Sequence, residues 1–71
     1  MAVQIHQILA NNLKRLRALR GYTQEQCSDV CDVSLRYYQH LEACDRWPSP
    51  EIIKKLAKGL RCKQVDLFKE P

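Results

Sequence analysis

Apolar residues recur at helical spacing in successive short runs, and each run is bounded by a residue suited to starting or stopping a helix. Ile5, Ile8, Leu9, Leu13 and Leu16 form one stripe, predicting a helix from about Val3 to Arg20 that Gly21 stops. Thr23 then caps a second helix. Its hydroxyl is placed to accept from the Gln26 amide while the Gln26 side chain returns to the Thr23 amide, and Tyr22 and Cys27 are spaced as a hydrophobic staple. Cys27, Val30 and Cys31 predict the buried side of this helix, with Glu25, Ser28 and Asp29 on the wet side. Asp32 follows, a residue that accepts a left-handed backbone at modest cost.

The device is repeated with Ser34 as cap and Val33 and Tyr38 as staple. At about 100° per residue, Tyr38, Leu41 and Glu42 point inward, Arg36, Gln39, His40 and Ala43 point outward, and Leu35 and Tyr37 lie on the flanks. After a loop ending at Pro48, Ser49 and Pro50 open a further helix with Ile52, Ile53, Leu56, Ala57 and Leu60 on its apolar face and Gly59 and Arg61 near its end. A short last element, about Lys63 to Phe68, offers Val65, Leu67 and Phe68 to the core or to a partner. The pattern is all-α, with no repeat and no linker.

Composition narrows the possibilities. Seventy-one residues allow one small core, residues 1–71, and no second domain. Twelve Lys plus Arg against eight Asp plus Glu leave a net charge of +4, which suits a polyanionic partner without identifying one. Lys14, Arg15, Arg17 and Arg20 crowd the last turns of the first helix, where cations complement the helix dipole. The N-terminal stretch lacks a basic n-region and its apolar residues are interrupted, so neither a signal peptide nor a membrane span is expected, and the expected compartment is the cytoplasm with reduced thiols. His6 and His40 have no acid or nucleophile at a revealing spacing and there is no Gly-rich phosphate loop, so an enzyme is not expected. The outward face of the Ser34 helix is the unusual feature. A guanidinium, an amide and an imidazole, all planar hydrogen-bonding groups, stand where a merely soluble helix more often carries Lys and Glu pairs.

Two capped helices around a tight turn, then a Glu, a Pro and an apolar helix before Asp-Leu-Phe, resemble the lambdoid Cro and phage-repressor (XRE) family of helix-turn-helix proteins. The resemblance runs from Gly21 to Phe68 through RGYTQEQ, VSLRYYQHLE, PSPEIIKKLAKGL and VDLF, with the motif itself at about 23–42. It implies a compact five-helix lambda-repressor-like fold and a sequence-specific regulator of transcription, a repressor or a restriction-modification controller. An α-helix fits the DNA major groove, whose edges distinguish all four base pairs. Leu35, Arg36, Gln39 and His40 are then the expected base readers, and Gln24, Ser34, Tyr37 and Arg46 the expected phosphate contacts. By analogy Arg17 reaches Glu42, relieving a buried acid, and Trp47, Leu60, Cys62, Val65 and Phe68 form a homodimer surface, although Trp47 could equally cover the core.

Departures from the family pattern are Asp32 and Cys44, where glycine is usual, and Lys63 in place of a Ser cap. A left-handed Cys44 would cost about 1–2 kcal/mol. The chief alternatives are a protein-interaction module and a thiol- or zinc-responsive regulator. Cys27, Cys31, Cys44 and Cys62 could supply four thiolates, but structural zinc sites favour close pairs in knuckle loops, and Cys27 and Cys31 fall where small core residues are needed. No metal, cofactor or small-molecule effector is expected, and redox sensing through Cys44 or Cys62 stays open.

Overall fold

The computed structural model describes residues 5–70. These form α1 (Ile5–Arg20), α2 (Gln24–Val30), α3 (Leu35–Glu42), α4 (Pro50–Leu60) and a closing 3-10 helix (Gln64–Phe68), with no strand among the described residues. The expected start of the first helix near Val3 lies outside the described residues.

Each capping residue acts as its chemistry dictates. Thr23 Oγ1 accepts from Gln26 N at 3.1 Å, and Gln26 Oε1 accepts from Thr23 N at 2.9 Å, completing the capping box. Ser34 Oγ accepts from Tyr37 N at 3.1 Å and Ser49 Oγ from Ile52 N at 3.3 Å, each satisfying an amide that has no partner within its helix.

The helix ends share one closure. Gly21, Asp32, Cys44 and Arg61 all have positive φ, between 56° and 71°. In each case this residue's amide donates to the carbonyl three before it, and the next amide donates to the carbonyl five before it: Tyr22 to Arg17, Val33 to Ser28, Asp45 to His40 and Cys62 to Ala57. This is the Schellman arrangement, normally built on glycine. Three of the four positions here lack one, so α2, α3 and α4 end on strained residues.

Leu9, Leu13, Leu16, Cys27, Cys31, Tyr38, Leu41, Leu56, Ala57, Leu60 and Leu67 make one core, flanked by half-buried Tyr22, Val33, Tyr37, Ile52, Ile53, Cys62 and Phe68. Two expectations are corrected. Ile5 is half exposed, because it lies in the first turn of α1, ahead of the buried stripe. On α2 the inward side is Cys27, Ser28 and Cys31, while Val30 stands in solvent, since α2 is pinned between α3 and α4 along that side. Ser28 tolerates burial because its hydroxyl donates to Glu25 O at 2.7 Å. The fifth element, expected as a short helix over about Lys63 to Phe68, is a 3-10 helix over Gln64–Phe68. It starts at Lys63 without a side-chain cap from that residue, and the Lys63 amide is satisfied instead by Asp66 Oδ2 at 3.0 Å.

Two polar side chains of α1, buried Asn12 and partly exposed Arg20, tie it to segments distant in the chain. Asn12, 3% exposed, donates to Leu67 O and Lys69 O at 2.9 and 2.8 Å, so the C-terminal segment hangs on α1. Arg20, expected as one of the cations that complement the dipole at the end of α1, reaches Leu60 O and Arg61 O at 2.8 and 3.0 Å and satisfies carbonyls at the end of α4. Gly59, which the sequence marks only as lying near a helix end, is the contact point of α4 with α2. A Cβ there would lie 2.5 Å from Cys31 Sγ and 2.7 Å from the Val30 carbonyl oxygen.

Two substitutions test these contacts through denaturant unfolding. Gly59→Ala should destabilise by about 1–3 kcal/mol, since backbone atoms cannot yield to the added methyl. Arg61→Gly should stabilise by about 0.5–1 kcal/mol, the left-handed strain of about 1–2 kcal/mol less the chain entropy glycine adds.

Candidate functional site

The face of α3 follows from its anchors. Tyr38 and Leu41 are sunk in the core at 0% and 1% exposure, so the opposite side must face solvent, and Arg36 and Gln39 are exposed there. His40, Leu35 and Tyr37 are half buried on its margins, while Ser34 and, beyond α3, Arg46 are exposed. Ser34, Arg36, Tyr37, His40 and Arg46 line one concave patch of about 210 Å³, bringing two guanidiniums, an imidazole, a phenol and a hydroxyl to a single surface.

Glu42 holds this face in place from behind. Its side chain is only 3% exposed, yet it is paired: Arg17 Nε meets Oε2 at 2.7 Å and Arg17 Nη2 meets Oε1 at 3.1 Å, a two-pronged contact. Arg17 Nη1 also donates to Tyr22 O at 3.1 Å. Gln24 Nε2 donates to Glu42 Oε1 at 3.1 Å, and Gln24 Oε1 accepts from Gln39 Nε2 at 3.3 Å. Gln24, expected on its own as a phosphate contact, thus joins the buried carboxylate to an exposed side chain of α3. Burial opposes ionisation of Glu42, but hydrogen bonds from Arg17 and Gln24 and the charge of Arg17 outweigh it and hold the carboxyl below its ordinary range. Tyr38 packs beside it with a buried hydroxyl that finds no hydrogen-bond partner among the described residues, and burial pushes its phenol well up.

One member of the site was not legible from spacing alone. Asp45 Oδ2 lies 2.6 Å from His40 Nδ1. Only the left-handed turn at Cys44 brings the two side chains together, and the signal for it in the sequence is weak because glycine is missing there.

The residues expected at a partner surface divide. Leu60 is a correction: it is 0% exposed, inside this chain's own core, because the α4 stripe rolls inward there, and it cannot line an outer surface. Trp47 and Val65 are exposed, and Cys62 and Phe68 half buried. Trp47 meets His6 edge-on at 4.5 Å between ring centroids and Phe68 at 5.9 Å, so an aromatic cluster bridges α1 and the C-terminal segment. Cys27 and Cys31 are core residues; Cys27 and burial together push the Cys31 thiol well up. Burial and then Asp66 push the Cys62 thiol up, away from the thiolate that metals and oxidants need. Among the described residues no three His, Cys, Asp or Glu side chains converge as a metal site, and no helix is long and apolar enough to cross a membrane.

Comparison with known proteins fits this geometry. The helix-turn-helix family model matches residues 13–67. A hypothetical transcription factor, NHTF, from Neisseria superposes with a TM-score of 0.91 at 24% identity, covering 96% of this chain and 78% of that one. The restriction-modification controller protein C.AhdI from Aeromonas hydrophila gives 0.85 at 27% identity, covering 89% and 96%. The clp gene regulator ClgR from C. glutamicum gives 0.82 at 23%, covering 93% and 86%. The likenesses at 24% and 23% establish the fold alone. No curated protein matches the chain.

The buried pair makes a pH-dependent prediction. Glu42 has a depressed folded-state pKa, so its contribution to stability is present above its unfolded value, about 4.5, and is lost as pH falls through the lower folded value. Arg17→Met, which leaves the buried carboxylate alone, should cost about 3–5 kcal/mol near neutral pH. Unfolding curves taken at descending pH should show that deficit narrowing, because a protonated Glu42 no longer needs a cation.

Proposed function

The chain belongs to the helix-turn-helix family of Cro/C1 (XRE) type, a family of DNA-binding regulators, and we propose that it controls transcription by reading duplex DNA through the segment 34–43. The observation that carries this is the outward presentation of Arg36, Gln39 and His40 on a helix whose inward side is clamped by Tyr38, Leu41 and Glu42. A reading helix must be rigid before contact, since looseness of an ångström forfeits directional hydrogen bonds.

In this reading α3 lies in the major groove. Arg36 pairs bidentately with a guanine edge, Gln39 and His40 address neighbouring edges, and Leu35 meets a thymine methyl. Ser34, Tyr37 and Arg46, which share the concave patch with Arg36 and His40, hold phosphates at its margin, and Gln24 adds a backbone contact at the start of α2. The net charge of +4 favours the encounter.

An eight-residue helix is about 12 Å long and spans roughly four base pairs, too few for a unique address. A homodimer on a pseudo-palindromic operator, with half-site centres about 34 Å apart, supplies the rest. Its surface is drawn from Trp47, Val65, Phe68 and Cys62, all at least partly accessible. The likeness to a restriction-modification controller over 96% of that protein's length supports a controller or repressor role.

Titration of a duplex selected from a random pool provides the test. Affinity should fall steeply between about 50 and about 200 mM salt, as counterion release requires. Arg36→Ala should lose about 1–3 kcal/mol on the selected duplex and little on unrelated DNA. An equal loss on every sequence would remove Arg36 from the base readers.

A further inference from the structure

The four helix ends close by the same hydrogen bonds, yet one closes with a different side chain. In this arrangement the residue after the left-handed one usually packs an apolar side chain back onto the helix. Tyr22, Val33 and Cys62 conform, each half buried against the core at the ends of α1, α2 and α4. At the end of α3 the position belongs to Asp45, whose side chain is 59% exposed and packs on no core. It returns to His40 twice: Asp45 N donates to His40 O at 2.9 Å, and Asp45 Oδ2 sits 2.6 Å from His40 Nδ1. A side-chain contact this exposed adds little to stability, whatever the charge on the ring. The apolar contact has therefore been given up for an interaction whose effect falls on the imidazole.

We infer that Asp45 is the positioning residue for His40, and through it a determinant of which base is read. The inference rests on α3 being the reading helix. Asp45 accepts the Nδ1 hydrogen, which fixes both the ring plane and the tautomer; in the neutral ring Nε2 is then a bare acceptor. Nδ1 is turned back to the protein, so Nε2 is the nitrogen left for a ligand. His40 lines the concave patch with Arg36, Arg46, Tyr37 and Ser34. Of these, the guanidiniums can only donate and match the acceptors of guanine. A fixed Nε2 acceptor supplies the complementary chemistry, recognition of an exocyclic amino group: N6 of adenine or N4 of cytosine.

Two measurements test the inference. Nitrogen-15 NMR of the free protein at about pH 8, above the ordinary imidazole range, should show His40 protonated at Nδ1 and bare at Nε2, with Asp45→Leu losing that tautomer and Asp45→Asn, which still offers an oxygen, keeping it. Duplex selection from a random pool should give the wild-type protein a preference for adenine or cytosine at one position that His40→Ala and Asp45→Leu both abolish and Asp45→Asn retains. The other positions and the salt dependence should stay unchanged, whereas a merely structural role would weaken all positions together. A Nε2-protonated wild-type ring, or a selected site unchanged in Asp45→Leu, overturns the inference and leaves the reading helix standing. Failure of the wild-type protein to enrich any duplex overturns both.

Discussion

A carboxylate taken out of water must find compensation close by, and Glu42 finds it on two other helices at once. Arg17 reaches it from α1 with two nitrogens, and Gln24 reaches it from the first turn of α2. Because an uncompensated buried charge costs several kcal/mol, the arrangement of α1, α2 and α3 that satisfies the carboxylate is strongly preferred over slightly rotated ones. The apolar core alone could not set this so sharply, since Leu, Cys and Ala surfaces tolerate small slides. The two-pronged Arg contact converts hydrophobic collapse into a defined orientation of α3. Gln39 extends the chain of hydrogen bonds to the exposed face, so the polar network runs from a buried acid to the surface proposed to meet DNA.

The ends of the helices obey a second constraint. Every α-helix leaves carbonyls without partners, and here each is closed by a left-handed residue, Gly21, Asp32, Cys44 or Arg61. Accepting that strain at non-glycine positions keeps the loops short, which a small domain with limited core needs. Arg20 reinforces the end of α4 with two side-chain donors, and Asn12 does the same service for the C-terminal segment. The end of α3 differs from the rest in the residue after its left-handed turn: Asp45 reaches back to His40, where an apolar contact would normally seal the motif. Stability is thus concentrated on the inward side of α3, and the polar groups on its outer side are left for recognition.

The sequence by itself determined the positions and capping of α2, α3 and α4 and the inward and outward sides of α3, because caps and apolar periodicity are local signals read from neighbouring residues. It also marked Glu42 as a buried acid in need of a partner, with Arg17 supplied by resemblance to the family. Tertiary structure alone decided the rest. Asn12 and Arg20 read as ordinary polar surface until α1 meets the C-terminal segment and α4, since their acceptors are backbone carbonyls distant in the chain. Ser28 faces inward and Val30 outward because α3 and α4 choose the side of a helix only seven residues long, too short for its own periodicity to fix. Leu60 lies on the apolar stripe that periodicity already marks on α4, but only the packed structure shows that this end of the stripe fills the chain's own core and does not form an outer surface. The pairing of Asp45 with His40 depends on one backbone rotation at Cys44, and no side-chain pattern encodes a rotation that glycine usually announces.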